Sequence, residues 1–232
     1  MRTDLAQAGA VRVATAEGSA IDGDLVVPAG AVGVVAVAPG SGSGRHSPRN
    51  RHVATTLQVA GLATLLMDPL TLREDALDAA GGRMRFDIPL LAERTVGIVD
   101  WLSAEPATAG LPIGLFGAST GAAAALVAAA LRPALVRAVV SRGGRPDVAA
   151  GALGRVHAPT LLVVGGDDAP VIPLNEEALR RLGGEARLHV LPGATHLFEE
   201  PGAIDEVAAL ARDWFLRWLG GRVQRVAWGD GW

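Results

Sequence analysis

The chain has 232 residues, of which 50% are hydrophobic and 19% are charged, so it can bury a large core and is not expected to be disordered. Its formal net charge is −3 with no block of like charges, which argues against a nucleic-acid or polyanion-binding protein. The chain contains no cysteine, which excludes disulfides, thiolate chemistry and cysteine-ligated metals.

Short apolar runs alternate with segments of helical pattern along the chain. A lead-in hairpin is predicted over "VRVAT" and "GDLVVP", and the later runs are nearly continuous in apolar residues, as is typical of strands buried on both faces of a parallel sheet. The predicted strands are 33–39, 63–69, 112–117, 135–141, 159–166 and 186–193, and the predicted helices are about 48–61, 86–103, 120–131, 174–183 and 203–219. This alternation predicts an α/β fold with a mostly parallel central sheet and helices on both faces. We expect one domain over 1–232, with a C-terminal tail over 220–232.

Polar residues with catalytic potential follow three of the predicted strands. The stretch "LFGASTG" (115–121) matches the G-x-S-x-G pattern of a nucleophile elbow and places Ser119 between a strand and a helix. Asp167 and Asp168 follow the strand 159–166, and His196 follows the run 186–193. Because ligands bind at the carboxyl ends of strands in open α/β sheets, we expect these residues to meet. The order Ser, Asp, His is that of the α/β-hydrolase triad.

Each of these residue types has a defined part in acyl transfer. A serine hydroxyl is a weak nucleophile and needs a base such as His196 within hydrogen-bond reach. An aspartate holds the imidazole in the required tautomer and stabilises the imidazolium. The tetrahedral oxyanion needs N–H donors, which we predict to be the backbone N–H groups of Thr120 and of Ser41 in the glycine-rich loop 38–50.

Four stretches together resemble a known family. "GLFGASTGAAAAL", "VSRGGRPD", "LLVVGGDDAPVIPLN" and "LPGATHLFEEPGA" are similar to the dienelactone-hydrolase-like branch of the α/β-hydrolase superfamily, over about residues 24–219. The resemblance implies a triad of Ser119, Asp168 and His196, with Asp168 preferred to Asp167 because the family acid follows a glycine by three positions. This chain departs from the dienelactone hydrolases proper by having serine as the nucleophile, and from many relatives by having Pro39-Gly40 in place of His-Gly.

The walls of the site are predicted from the loops. The link after the strand ending at Ser141 is too short for a cap domain, so the segment 70–90 is the expected partial cover. Gly42, which follows the predicted donor Ser41, is a candidate substrate-binding residue, as are Arg45 and Arg142, because a positive rim could recruit an anionic substrate. The alternative is that the arginines pair with acids such as Asp68, Glu93 or Asp147.

The sequence predicts neither a metal site nor a cofactor, since its histidines lack metal-ligand spacing and "GSGSGR" lacks the end of a phosphate-binding loop. The amino terminus lacks a signal-peptide pattern and "GAAAALVAAAL" is too short to cross a bilayer, so we expect a cytoplasmic protein, of bacterial origin by its residue usage. The expected partner is a small-molecule ester or lactone, not nucleic acid or membrane. Trp228 and Trp232 in the tail could pack on the domain or form a homo-oligomer interface.

The function predicted from these observations is a serine hydrolase that cleaves small carboxylic esters or lactones through an acyl-enzyme. Two alternatives stay open. The same site could support an acyl transferase or a thioesterase, or the fold could be a catalytically silent scaffold that binds a ligand or partner.

Overall fold

A computed structural model describes residues 5–15, 18, 20–149 and 151–221. Its strands are β1 (Leu5–Ala14), β2 (Ala20–Pro28), β3 (Val34–Ala38), β4 (Ala63–Met67), β5 (Ile113–Ala118), β6 (Val136–Arg142), β7 (Thr160–Gly165) and β8 (Ala186–Leu191). Its α-helices are α1 (Pro48–Val59), α2 (Leu72–Ala79), α3 (Ile88–Ala104), α4 (Thr120–Leu131), α5 (Ile172–Arg181) and α6 (Ala203–Leu219). Short 3-10 turns lie at Met84–Phe86, Pro146–Ala149 and Leu153–Arg155. The tail residues 222–232, with Trp228 and Trp232, lie outside the described residues.

The strands form one 8-stranded sheet in the order β1-β2-β4-β3-β5-β6-β7-β8. β1 and β2 pair as an antiparallel hairpin, and β2 runs antiparallel to β4. The strands from β3 to β8 are mutually parallel. The predicted mostly parallel α/β sheet is therefore confirmed. Its parallel strands bring their carboxyl ends to one edge, where the polar residues selected from the sequence lie.

The core has one layer on each face of the sheet. On one face, α3, α4 and α5 pack against alternate strand residues such as Val34, Leu115 and Leu162. On the other face, α1 and α6 pack against the residues that point the opposite way, such as Val35 and Phe116. The small side chains of α4 are nearly all buried, which lets this helix lie close to β5. The apolar strand runs are buried on both faces because helices cover both.

No cap domain is evident. Residues 143–159 join β6 to β7 and hold only two of the short 3-10 turns, within the portion of this link that is described. The predicted cover contains α2, a helix that the sequence analysis did not predict. The sequence does contain a signal for the start of this helix, the capping-box pattern Thr71-x-x-Glu74. In the structure the Thr71 hydroxyl accepts from the Glu74 N–H, and the Glu74 carboxylate accepts from the Thr71 N–H. Of the helices described, none is both long and apolar enough to cross a membrane.

Candidate active site

Ser119 occupies a strained turn between β5 and α4. Its φ of 50° and ψ of −117° lie in a region that residues with a side chain rarely adopt. The turn is fixed by the Ser119 N–H, which donates to the Arg142 carbonyl oxygen at 3.1 Å, and by the Ser119 carbonyl oxygen, which accepts from the N–H of Ala122 at 3.1 Å. Neighbouring backbone therefore holds a conformation that an isolated chain would avoid.

The two glycines of the G-x-S-x-G pattern are required by close backbone packing. A Cβ atom on Gly117 would lie 2.4 Å from the Ala122 Cα. A Cβ atom on Gly121 would lie 2.3 Å from the Ala38 carbonyl oxygen and 2.4 Å from that of Pro39. Both distances are far below contact, so only glycine lets α4 begin so near to β5 and to the end of β3.

Ser119, His196 and Asp168 form one hydrogen-bonded chain across the carboxyl ends of β5, β7 and β8. The His196 Nε2 lies 3.3 Å from the Ser119 Oγ, and its Nδ1 lies 2.7 Å from the Asp168 Oδ2. The Asp168 carboxylate is largely buried, whereas the imidazole is about one third exposed. Asp167, the other candidate acid, uses its N–H to bind the Ala194 carbonyl oxygen at 2.9 Å. The structure thus places Asp168, rather than Asp167, against the imidazole.

The loop that carries His196 is supported by contacts that the sequence analysis did not predict. A Cβ atom on Gly143, whose φ is +51°, would lie 3.1 Å from the His196 carbonyl oxygen, so the loop after β6 packs directly against the histidine. Phe198 lies in the same loop as His196, also has a positive φ, and is buried. Arg49 of α1 forms an ion pair of 2.6 Å with Glu199. The "RGGR" sequence after β6 was the available signal, since paired glycines mark close backbone approach.

Thr120 directly follows Ser119, and the loop that contains Ser41, the other predicted oxyanion donor, packs against the serine. Thr120 is the first residue of α4, so its N–H belongs to the first helical turn, where amides have no acceptor within the helix. A Cβ atom on Gly40 would lie 3.2 Å from the Ser119 Cβ, which places the loop containing Ser41 against the serine. The Ser43 N–H closes a turn in this loop by donating to the Gly40 carbonyl oxygen at 3.0 Å.

A cavity of about 380 Å³ opens next to the Ser41 loop. Residues 41–44 and His46 line one side of it, and residues 68–70, Leu72, Asp75 and Arg85 line the other. Gly42, a candidate substrate-binding residue, is part of this lining. The cavity therefore lies between the glycine-rich loop and the segment 70–90 that the sequence analysis selected as the cover.

Buried charged groups hold the cover in place. The Asp78 carboxylate is buried, binds the Arg85 guanidinium and accepts from the Met84 N–H at 2.6 Å. Its hydrogen bond to Arg85 lowers the pKa of Asp78 despite burial. Burial raises the pKa of Glu74, but the hydrogen bonds from Thr71 and Arg94 outweigh it, so that pKa is lowered as well.

The two candidate substrate-binding arginines have different surroundings. The Arg45 guanidinium contacts the carboxylate of Asp68, with those of Asp22 at 3.7 Å and Asp24 at 3.8 Å, so its charge is offset within the protein. Arg142 is buried, and its guanidinium lies 5.9 Å from the centre of the Phe198 ring. The predicted pairing with acids therefore describes Arg45 and not Arg142. Among the residues described, no cluster of three or more histidines or acids has the arrangement of a metal site.

The sheet order, the helices on both faces and the Ser119 turn are those of the α/β-hydrolase fold. A dienelactone hydrolase from Anabaena variabilis is similar with a TM-score of 0.90 and 58% identity, over 92% of this chain and 98% of that one. Est1E from Butyrivibrio proteoclasticus has the same fold, with a TM-score of 0.75 and 16% identity over 90% of this chain and 98% of that one. The model of the dienelactone hydrolase family matches residues 82–220, more than half of the chain. The chain belongs to the dienelactone hydrolase family.

A longer relative is also similar. A Mycobacterium tuberculosis H37Rv protein with the provisional name of phosphoribosyl transferase is 56% identical over 201 residues. The match covers 87% of this chain and 44% of that protein. The chain thus spans less than half the length of this relative.

Proposed function

We propose that the protein is a serine hydrolase that cleaves small carboxylic esters or lactones through an acyl-enzyme, with Ser119 as the nucleophile. The observation that carries the proposal is the chain of contacts from Asp168 through His196 to Ser119, at 2.7 Å and 3.3 Å. These distances suit an acid that orients a general base and a general base that lies next to a nucleophile. The 3.3 Å contact between His196 and Ser119 is slightly long, as such contacts often are before substrate binds.

In the proposed reaction, His196 takes the proton of the Ser119 hydroxyl as the oxygen attacks the ester carbonyl. The resulting tetrahedral oxyanion is stabilised by the backbone N–H groups of Thr120 and Ser41. His196 then gives the proton to the departing alkoxide, which leaves an acylated Ser119 and an alcohol. Water attacks the acyl-enzyme in a second round with the same proton transfers, and the acid is released.

Asp168 is the positioning acid of this scheme. Its carboxylate accepts the hydrogen of His196 Nδ1, so the Nε2 lone pair faces Ser119. The imidazolium that forms during attack is stabilised by the same carboxylate. Asp168 is itself fixed after β7 by its N–H, which donates to the Gly165 carbonyl oxygen at 3.1 Å.

The cavity favours small substrates. It has a volume of about 380 Å³, and it is lined by residues of the loop 41–46 and of the segment 68–85 rather than by a cap. A cavity of this size without a cap buries few methylenes, each of which contributes only about 0.8 kcal/mol when fully buried. We therefore expect kcat/KM to be highest for acetyl to butyryl esters and to fall for octanoyl esters. A maximum at decanoyl or longer chains would contradict this size class.

Two experiments test the proposal as a whole. Intact-mass spectra after treatment with a fluorophosphonate should show one adduct, mapped by peptide sequencing to Ser119. Hydrolysis of short p-nitrophenyl esters, lactones and thioesters then compares the substrate classes, with Ser119→Ala as the control. Absence of the adduct together with absence of turnover would favour the silent scaffold, and product transfer to added alcohols or amines would favour an acyl transferase.

A further inference from the structure

Asn175 is a buried polar residue that the proposed reaction does not use. It is the fourth residue of α5 and is 0% exposed. Its side-chain N–H₂ group donates twice, to the Gly144 carbonyl oxygen at 3.1 Å and to the Val171 carbonyl oxygen at 3.0 Å. Its amide oxygen has no partner among the described residues. A buried amide with an unpaired oxygen destabilises a fold, so the two donated hydrogen bonds call for an explanation.

The contact to Val171 connects Asn175 to the loop that carries Asp168. Val171 directly precedes α5, and its N–H donates to the Asp168 carbonyl oxygen at 2.9 Å. The Val171 carbonyl oxygen accepts from Asn175 twice, from the backbone N–H at 3.2 Å and from the side-chain N–H₂ group. Asn175 is therefore joined to Asp168 through Val171.

The contact to Gly144 connects Asn175 to the segment 142–145 at the end of β6. This segment binds the Ser119 turn on both sides. The Arg142 carbonyl oxygen accepts from the Ser119 N–H at 3.1 Å, and the Arg145 N–H donates to the Ser119 carbonyl oxygen at 3.3 Å. A shift of the segment would therefore also move the Ser119 turn.

The same segment contacts the loop that carries His196. A Cβ atom on Gly143 would lie 3.1 Å from the His196 carbonyl oxygen and 3.6 Å from its Cε1. The Gly143 N–H donates to the Val163 carbonyl oxygen at 2.8 Å, which continues the pairing of β6 with β7. The segment 142–145 thus adjoins the Ser119 turn and the His196 loop directly, and Asn175 links it to the loop of Asp168.

We propose that Asn175 is a positioning residue for the proposed hydrolysis, whose side-chain amide fixes the Asp168 loop relative to the segment 142–145. Because the Ser119 turn and the His196 loop rest against that segment, the amide keeps the Asp168 carboxylate at 2.7 Å from the imidazole. Such a chain of contacts tolerates little error, since a displacement of about 1 Å can cost about a hundredfold in rate. This inference rests on the proposed function and adds to it a residue that touches no reacting atom.

The main test is Asn175→Leu, which removes both donors and keeps a side chain of similar volume. We expect kcat for p-nitrophenyl acetate to fall about tenfold to a hundredfold, because the Gly144 and Val171 carbonyl oxygens lose the group that joins them. KM should stay within about twofold of the wild type, because acylation and deacylation use the same three residues. The cavity is also lined by other parts of the chain, residues 41–46 and 68–85.

Thr160→Val is the matched control. The Thr160 hydroxyl is buried and donates to the Ala158 carbonyl oxygen at 2.9 Å. Thr160 begins β7, whose opposite end leads to Asp168. This variant also removes a buried hydrogen bond to a carbonyl oxygen, but at the far edge of the sheet. It should lower the urea midpoint of unfolding, as Asn175→Leu does, and keep kcat within about twofold of the wild type.

Asn175→Thr separates the two contacts of the amide. A threonine hydroxyl in a helix can donate to the carbonyl oxygen four residues earlier, which is that of Val171, but it has only one hydrogen to donate. This variant should therefore keep the contact inside α5, lose the bridge to Gly144, and lose nearly as much kcat as Asn175→Leu. If Asn175→Leu does not fold by circular dichroism, Asn175→Thr is compared with Thr160→Val in its place.

A proton resonance reports the position of Asp168 independently of turnover. Charge-assisted hydrogen bonds are short and strong, and the proton of an imidazole N–H bound to a carboxylate resonates well downfield of the backbone amides. The wild type and Thr160→Val should show this resonance from His196 Nδ1. In Asn175→Leu it should move upfield or be lost to exchange with solvent, because the carboxylate no longer holds the imidazole. A merely structural role for Asn175 would leave the resonance in place in the folded variant.

The outcomes separate this inference from the proposed function. If the wild type neither hydrolyses p-nitrophenyl acetate nor takes up a fluorophosphonate at Ser119, the proposed function fails, and the role of Asn175 in it fails too. If the wild type is active and folded Asn175→Leu keeps its kcat, the function stands and the inference is overturned. Equal losses of kcat in Asn175→Leu and Thr160→Val would also overturn it, since the loss would then follow stability alone. Wild-type kcat in Asn175→Thr would show that the bridge to Gly144 is not needed, which overturns it as well.

Discussion

Ser119 stands on a turn that is fixed by close packing of backbone atoms, whereas residues 70–86, which form one wall of the cavity next to the Ser41 loop, are fixed by charged side chains. On the Ser119 turn, Gly117 and Gly121 leave no room for even a Cβ atom. On the wall, the buried carboxylate of Asp78 binds Arg85, and Glu74 binds Arg94. The Ser119 turn is therefore held by shape, and the cavity wall is held by ion pairs.

The difference matters because the two kinds of support respond to different changes. Backbone packing does not titrate, but it tolerates almost no added volume. An ion pair tolerates changes in side-chain shape better, but it depends on pH through the pKa of its carboxylate. A family that keeps the same reaction while changing its substrate can thus vary the wall without disturbing the Ser119 turn.

The largest expected effect comes from the reacting group itself. Ser119→Ala removes the nucleophile and keeps the turn geometry as far as alanine allows, so kcat should fall by at least about a thousandfold. The measurement is steady-state hydrolysis of p-nitrophenyl acetate, with circular dichroism as the check on folding. A folded variant with more than about a tenth of wild-type activity would show that hydrolysis takes place elsewhere.

The next effect distinguishes the two neighbouring acids. Asp168→Asn should lower kcat by about a hundredfold or more, because an asparagine amide favours the wrong imidazole tautomer. Asp167→Asn, the matched control one residue away, should lower it by no more than a few-fold, since its N–H and not its carboxylate is used in the loop. Equal losses, or a larger loss at Asp167, would place the positioning acid one residue earlier.

Much of the sheet and the Ser119 end of the site could be predicted from the sequence. Apolar runs bounded by glycine and proline mark buried strands, and parallel strands must deliver Ser119, Asp168 and His196 to one edge. The observed strands and most helices begin or end within a few residues of the predicted ones, and α4 and α6 have the predicted bounds.

The wall and the environment of Arg142 could not be predicted in the same way. α2 is short and mostly exposed, so its apolar pattern is weak, and only the Thr71 capping box marks its start. The Arg142 guanidinium lies over the Phe198 ring, and these two residues are distant in sequence and meet only in the fold. The sequence therefore gave no reason to distinguish Arg45 from Arg142 as a substrate-binding residue, although only Arg45 is paired with acids among the described residues.

Gly121→Ala tests the packing side of the comparison. An added Cβ would collide with the carbonyl oxygens of Ala38 and Pro39, so the loop that carries Ser41 must shift. We expect a loss of about 1–3 kcal/mol in the free energy of unfolding, together with a lower kcat. Gly97→Ala is the control, because a Cβ there meets no atom within 4 Å and alanine suits the interior of α3. Urea unfolding that ranks Gly121→Ala as no less stable than Gly97→Ala would show that the Ser119 turn is not limited by packing.

Asp78→Asn tests the charged side, with a smaller and pH-dependent effect. Because the folded-state pKa of Asp78 is lowered, its carboxylate stabilises the wall at pH values above the ordinary aspartate pKa of about 3.9, and that stabilisation is lost as the pH falls through the lower folded value. At pH 7 the variant should therefore show faster hydrogen exchange over residues 72–86 than the wild type, measured by mass spectrometry and corrected for intrinsic rates. The difference should shrink at acidic pH, as the pH falls through the lowered folded-state pKa of Asp78 and the wild-type carboxylate becomes protonated. Asp75→Asn removes a charge from the same helix without breaking the contact to Arg85, and it should match the wild type at both pH values. Two results would contradict this prediction: an exchange rate that Asp78→Asn leaves unchanged at pH 7, or a difference between variant and wild type that is as large in acid as at pH 7. Either result would show that packing holds the wall, as it holds the Ser119 turn.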